Sequence, residues 1–223
     1  MLKIYDEKMT PLGYEDKKIV HQQGLWHKVI GGVFCNLEAG LIYFQTIYPK
    51  ESYTFEREDY IDFAIGGHVE GDETIAEALT REAKEELGLD IDADICPFLG
   101  LRLCRADCSE TYKIREFQHF FAVFTNLRLK DMDFFNTDGE VKSLIEVGLD
   151  DYLSLLSGQK KEVFANEMVL DKLSRQGTYF SKIVLQAKRI VPDYFTDKSI
   201  KEIFLALKAL GDDVRKNERN NRV

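Results

Sequence analysis

The sequence predicts a mixed α/β or α+β domain followed by a mainly helical C-terminal extension. Short apolar, β-branched runs surround one strong helical segment in the first two thirds of the 223-residue chain. Strands interspersed with a few helices are typical of mixed architectures. With 44% apolar and 12% aromatic residues, the chain has enough material for a buried core, which excludes global disorder.

Two apolar runs give the clearest strand signals. Residues 29–36 and 41–47 are rich in β-branched and aromatic residues, and a turn sequence ending at Gly40 separates them. Further strands are predicted over 2–6, 18–21 and 115–126.

The strongest helix signal covers residues 74–87. Asp72 or Thr74 can cap its start, and Gly88 stands where a left-handed residue ends a helix. A short helix is also predicted over 149–156, because two aspartates stand in its first turn.

Charge divides the chain into two parts. Residues 160–223 carry 14 basic and 9 acidic residues, whereas residues 1–159 carry 16 basic and 30 acidic residues. We therefore expect a first domain over 1–159 and an extension over 160–223, with a disordered tail from 215. Apolar residues three and four positions apart predict helices in the extension over 162–173 and 200–210.

Composition restricts the compartment and the partners. The N-terminus has no signal-peptide pattern, and no apolar run is long enough to span a membrane. Four cysteines in a chain of this length do not make a disulfide framework. We expect a cytoplasmic protein without a membrane partner, and a net charge of −9 disfavours nucleic acid.

Three glutamates of the long helix do not lie on its solvent face. At roughly 100° per residue, Glu82 and Glu86 fall within the apolar stripe and Glu85 falls beside it. Moving carboxylates inward without compensation costs several kcal/mol each, so we expect a cation to offset that cost. The alternative is a solvated helix whose glutamates pair with Arg81 and Lys84.

The spacing of these glutamates also indicates which cation would bind. Residues three and four apart on a helix are neighbours, so the three carboxylates reach one point in space. Ligand sets made only of oxygen favour hard cations, here Mg²⁺ or Mn²⁺.

The segment GGHVEGDETIAEALTREAKEELGL, which begins at Gly66, resembles the Nudix box. In that signature a glycine, a glutamate and an Arg-Glu-x-x-Glu-Glu-x-Gly run stand at fixed spacings, and every fixed position is filled. The matching residues are Gly67, Glu73, Arg81, Glu82, Glu85, Glu86 and Gly88.

The resemblance implies a fold and an activity. Nudix hydrolases cleave diphosphate linkages in nucleoside diphosphate derivatives, with a divalent metal that activates water. The implied fold is an α/β/α sandwich around a mixed sheet over about residues 15–155. Arg81 would orient the carboxylates and Glu73 would brace the loop. The implied metal ligands are Glu82, Glu85, Glu86 and the carbonyl of Gly66.

A narrower resemblance, to the branch that contains isopentenyl diphosphate isomerase, lies outside the box. In that enzyme histidines and downstream glutamates bind a metal. His27, His68 and Glu116 match these positions, and His21 is one residue off. The catalytic cysteine of the isomerase falls where this chain has Gly66, so the resemblance implies a hydrolase on an isomerase-like frame.

Several assignments stay open at this stage. For the three histidines, hydrogen bonding within the fold is as good an interpretation as a second metal site. Asp138 or Glu140 stands where some members of the branch place a further acidic ligand or base.

A ligand-sensing regulator that contacts DNA through its extension is the alternative class of function. That interpretation requires a helix-turn-helix with a basic recognition helix in 160–223, but the basic residues there are scattered. The apolar stripes of the extension need cover, so we expect it to pack on the first domain or in a homodimer.

Overall fold

The computed structural model describes residues 1–48, 60–132, 139–171, 173–174 and 176–221, with side chains up to residue 216. The described helices are α1 (Lys17–Gln23), α2 (Ile75–Leu87), α3 (Leu149–Leu156) and α4 (Lys198–Asn221). The described strands are β1 (Leu2–Tyr5), β2 (Pro11–Glu15), β3 (Trp26–Asn36), β4 (Leu41–Ile47), β5 (Asp62–Phe63), β6 (Ile65–His68), β7 (Phe98–Asp107), β8 (Lys113–Phe124), β9 (Val141–Gly148), β10 (Glu162–Leu170) and β11 (Gly177–Gln186).

One mixed sheet connects these strands. Its main path runs in the order β11-β10-β9-β4-β3-β1-β2. Strand β8 pairs with β3 in parallel and with β7 antiparallel, and β6 pairs with β3 antiparallel. Strand β3 is therefore central to the sheet, because it pairs with β6 and β8, the strands that carry several candidate site residues.

Helices cover the sheet on both faces. Along β3, Ile30 and Phe34 pack into the apolar cluster under α2, whereas Val33 and Cys35 pack into the cluster under α3 and α4. This alternation follows from the two-residue period of a strand. The predicted sandwich around a mixed sheet is confirmed.

Most strong local signals are found where the sequence predicts them. Strands β3, β4 and β8 and helices α2 and α3 match the predicted segments to within a few residues. The predicted strand at 18–21 is wrong, because these residues belong to α1. Asp16 caps that helix by accepting from the Lys18 N–H at 2.9 Å, and Gly24 ends it at φ 69°.

The predicted helix over 162–173 is also wrong, because residues 162–170 form strand β10. Val163 and Ala165 are buried on one face of the strand, and Met168 and Leu170 on the other. The free edge of β9 decides between the two structures, since it offers backbone groups that β10 pairs with antiparallel. Strand β11 then pairs with β10, and α4 makes up most of the rest of the extension.

Helix α4 confirms the predicted helix over 200–210 and continues to Asn221. Arg215 favours this greater length, because its Nη1 donates to the Leu37 carbonyl at 2.9 Å. The predicted disorder of the tail from 215 and the division of the chain at 159 stay predictions. None of the described helices has the length and apolar character that a membrane span requires.

Candidate active site

Local signals fix both ends of helix α2. The Thr74 hydroxyl accepts from the Glu77 N–H at 3.2 Å, and the Glu77 carboxylate accepts from the Thr74 N–H at 2.8 Å. At the other end, Gly88 adopts φ 68° and its N–H donates to the Lys84 carbonyl at 3.0 Å. This reciprocal cap and the left-handed end fix where α2 begins and ends, and its buried apolar stripe sets which glutamates face β6.

Glu82 points from α2 onto the backbone of β6. A Cβ atom built on Gly67 would lie 1.7 Å from Glu82 Oε1, so only a glycine leaves room for this carboxylate. Burial raises the pKa of Glu82 to about 7, and the ion pair with Arg81 opposes that rise only in part. The site therefore holds a carboxylate whose negative charge needs further compensation.

Glu86 lies one helical turn further along and is 5% exposed. Its Oε2 accepts from the Gly66 N–H at 2.7 Å, and its Oε1 accepts from Gln45 Nε2 at 2.9 Å. Within the described part of the chain, the buried Gln45 Oε1 has no hydrogen-bond partner. Strands β4 and β6 thus hold Glu86 in a polar pocket beside Glu82.

Arg81 connects the loop before α2 with the carboxylates on it. Its Nε and Nη2 donate to the two oxygens of Glu73 at 2.7 and 3.1 Å. Its Nη1 donates to Glu82 Oε1 at 2.7 Å and to Glu85 Oε2 at 3.1 Å, and Nη2 also reaches the His68 carbonyl at 2.9 Å. A bidentate guanidinium of this kind fixes position as well as charge.

The donor set at α2 fits a divalent hard cation. Three carboxylates contact a single guanidinium and a fourth lies one helical turn away; two of the four are largely buried, and every side-chain donor is an oxygen. Oxygen-only sets of this kind are typical of Mg²⁺ and Mn²⁺ sites. The carboxylates are those of Glu73, Glu82, Glu85 and Glu86.

A second group, here called the histidine cluster, consists of His21, His27 and His68. One ring nitrogen from each lies within 4.8 Å of those of the other two. His21 Nδ1 lies 3.2 Å from the Lys113 carbonyl, and His27 Nδ1 lies 2.9 Å from the Leu25 carbonyl. Because a carbonyl only accepts, both Nδ1 atoms carry a proton, which in a neutral ring leaves Nε2 with a lone pair.

Two of these Nε2 atoms have surroundings that are unusual for a buried imidazole. His21 Nε2 lies 3.1 Å from His68 Nε2. His27 is 1% exposed, and its Nε2 has no hydrogen-bond partner among the described residues. Burial is the largest influence that lowers the pKa of His21 and His68, so these two rings favour the neutral form.

Glu116 lies beside the histidine cluster. The parallel register of β3 and β8 places it opposite His27, and its Oε1 lies 3.7 Å from His27 Nε2. Burial raises the pKa of Glu116, but its polar neighbours, His27 first, lower it to about 2, so the group is a buried carboxylate. The three imidazoles therefore lie together, and the carboxylate of Glu116 lies beside His27.

The structure brings the sequence-predicted residues into two adjoining groups. The box carboxylates gather around Arg81, and the histidines gather with Glu116. Gly67 and His68 are consecutive on β6, so they point to opposite faces of that strand. Glu140 precedes β9, where its carbonyl accepts from the Tyr48 N–H at 2.9 Å, whereas Asp138 lies outside the described residues.

Sequence reasoning missed three polar residues that contact these groups. Gln45 holds Glu86, Gln118 donates to Glu116 Oε2 at 2.7 Å, and the Tyr112 ring stacks on His21 at 4.6 Å. Gln45 did carry a signal, because it is a polar residue at an inward position of an apolar strand. Gln118 and Tyr112 carried none that distinguishes them from surface residues.

Comparisons with known proteins found similar sequences and structures. A family model described as the NUDIX domain matches residues 23–166. An uncharacterised Nudix hydrolase of Clostridium acetobutylicum is 26% identical over 215 residues, which cover 95% of this chain and 97% of that protein. A crystal structure from Deinococcus radiodurans covers 71% of this chain and 90% of its own, at 17% identity and a TM-score of 0.49.

The match to the family model extends over more than half of the chain, and the chain therefore belongs to the Nudix family. It is a hydrolase that acts on diphosphate bonds.

Proposed function

We propose that the chain hydrolyses a nucleoside diphosphate derivative or a related organic diphosphate at the α2 site. The observation that carries the proposal is the pair of buried carboxylates, Glu82 and Glu86, packed against the Gly66–Gly67 backbone. The cation proposed for this site is Mg²⁺ or Mn²⁺, since the family generally depends on a divalent metal. When bound, such a cation neutralises the diphosphate and lowers the pKa of an attacking water.

Each residue of the site has a role in this proposal. Glu82, Glu85, Glu86 and the Gly66 carbonyl would hold the cation. Arg81 orients the carboxylates of Glu82 and Glu85 through its Nη1. The bidentate contact with Glu73 fixes Arg81 in turn, because it prevents rotation of the guanidinium.

We also propose a second cation site at the histidine cluster. His27 Nε2 is buried and has no hydrogen-bond partner among the described residues, and backbone carbonyls hold the Nδ1–H groups of His21 and His27. Metal-binding histidines commonly donate their other N–H to such carbonyls. Three imidazoles with Glu116 favour a transition-metal or zinc ion over Mg²⁺.

Among the described residues, the extension lacks the motif that the regulator alternative requires. Among the described residues of the extension, α4 is the single α-helix, and it follows the β10–β11 hairpin. A helix-turn-helix needs two helices joined by a short turn. Cytoplasmic location and a homodimer remain predictions from the sequence.

A substrate panel tests the proposed function. Nucleoside diphosphate sugars, dinucleoside polyphosphates and other organic diphosphates are incubated with the full chain and Mg²⁺ or Mn²⁺, and phosphate-containing products are resolved by chromatography. The proposal predicts cleavage within a diphosphate linkage that stops when EDTA is added. Cleavage that continues in EDTA would contradict the metal assignment.

A further inference from the structure

Four hydrogen-bonded side chains connect the start of α4 to the histidine cluster. Asp197, directly before α4, accepts from Arg102 Nε at 2.6 Å. Arg102 Nη1 donates to Gln118 Oε1 at 2.9 Å, and Gln118 Nε2 donates to Glu116 Oε2 at 2.7 Å. Arg102 and Glu116 are only 5% and 8% exposed, so these bonds lie away from water.

The guanidinium of Arg102 determines which atoms of Gln118 accept and donate in these hydrogen bonds. A guanidinium only donates, so the oxygen of the Gln118 amide must face Arg102. The NH₂ group of the same amide must then face Glu116, where it occupies Oε2. The other oxygen, Glu116 Oε1, is the one that lies 3.7 Å from His27 Nε2.

Asp197 also connects these hydrogen bonds to the first turn of α4. Its Oδ1 accepts from the Ser199 N–H at 2.8 Å and thereby caps the helix, while its Oδ2 binds Arg102. Arg102 lies over the Tyr194 ring, with its guanidinium carbon 5.3 Å from the ring centroid. One carboxylate therefore both caps α4 and holds Arg102.

We propose that Arg102 is a positioning residue for the histidine cluster. Through Gln118 it holds the Glu116 carboxylate with Oε1 turned toward His27, and Asp197 makes this orientation depend on the docked α4. The inference rests on the second cation site proposed above. It assigns a part in that site to residues of β7 and of the segment before α4, both outside the Nudix box.

Cobalt binding to the full-length protein tests this role. Metal-free protein in excess Mg²⁺ is titrated with Co²⁺, whose visible absorption reports nitrogen ligands. His27→Ala should abolish the absorption, which identifies the site. Gln118→Leu and Arg102→Gln should each weaken Co²⁺ binding by about 10-fold or more, the usual effect of losing a group that orients a metal ligand.

Arg215→Gln is the matched control. It removes an anchor of α4 at the other end of the helix, the bond to the Leu37 carbonyl, without touching the line to Glu116. Its Co²⁺ affinity should stay within about threefold of wild type, since distant sites act independently. Gln118→Leu keeps the Arg102–Asp197 ion pair, so it remains informative if Arg102→Gln does not fold.

Each failure has its own signature. If Gln118→Leu binds Co²⁺ as wild type does while His27→Ala does not bind it, the positioning role is overturned and the cation site stands. A loss in Arg215→Gln equal to that in Arg102→Gln would reduce the effect to general loosening of α4 and also overturn the role. Absorption that survives His27→Ala would remove the cation site, and the positioning role with it.

Discussion

Glu82 carries a carboxylate in surroundings that disfavour its charge. Burial raises its pKa from the ordinary 4.5 to about 7 in the metal-free protein. Between these two pH values the folded chain binds more protons than the unfolded chain. The free energy of unfolding therefore falls as the pH rises through this window.

Glu82→Gln should remove that dependence. In metal-free buffer at pH 8 we expect the variant to melt about 2 °C or more above wild type, because it has no buried charge to compensate. At pH 5, where wild-type Glu82 is already neutral, no gain is expected. Glu202→Gln, the same change at an exposed position of α4, is the control. A Glu82→Gln variant with the same melting shift at both pH values would contradict this explanation.

Gly66 distinguishes this chain from the isomerase, because the isomerase has its catalytic cysteine at this position. No thiol is available at that position, and burial raises the pKa of Cys104, which lies opposite Glu116 in the β7–β8 register, to about 12. We therefore predict that the protein does not interconvert isopentenyl and dimethylallyl diphosphate. Proton exchange in deuterated buffer measures this reaction. Exchange at an ordinary enzymatic rate would refute the alignment of Gly66 with the catalytic cysteine.

The individual site residues differ in how far the sequence could predict them. Glu82, Glu85 and Glu86 stand on one helix, so their spacing alone places them together. Gln45 and Gln118 join the site only through strand register, since β4 brings one to Glu86 and the pairing of β7 with β8 sets the other between Arg102 and Glu116. A single sequence contains no measure of that register.

At the scale of elements, the contact between α2 and β6 leaves no room for a side chain at Gly67. Strand β6 is paired with β3 at Gly67, so the backbone of β6 cannot move away from Glu82. Gly67→Ala should therefore displace the Glu82 carboxylate from the site and lower turnover by about 10-fold or more. Gly211→Ala, whose added methyl lies within α4 and meets only ordinary contacts, should leave turnover unchanged and raise the urea midpoint slightly, because alanine favours a helix more than glycine does. An active Gly67→Ala would show that Glu82 can relocate without loss.

Helix α2 and strand β10 show why some elements can be predicted and others cannot. The cap, the left-handed end and the apolar stripe of α2 are all local, and they agree. In β10, apolar residues satisfy both helical and strand spacing over a short segment, and the edge of β9 decides between them. The strand β10 therefore could not be predicted from its own residues, whereas helix α4 could.

At the scale of the whole molecule, the extension completes the core. Phe204 on α4 is fully buried, and its ring centroid lies 4.7 Å from that of Tyr152 and 5.8 Å from that of Phe63. Truncation after Leu156 would remove this ring and the strand that covers the edge of β9. We predict a poorly soluble or inactive product, measured by soluble yield and turnover. A soluble and fully active product would make the extension an independent module.

In the proposed function, the buried carboxylates of α2 bind the cation that diphosphate hydrolysis requires. The turnover number of Glu86→Gln with Mg²⁺, on whichever substrate the panel identifies, tests this role most directly. Glu77→Gln is measured beside it, and the melting temperatures of both variants are recorded. We predict a loss of at least about 100-fold for Glu86→Gln in a folded protein, and near wild-type turnover for Glu77→Gln. Near-full activity of a folded Glu86→Gln variant would contradict the claim.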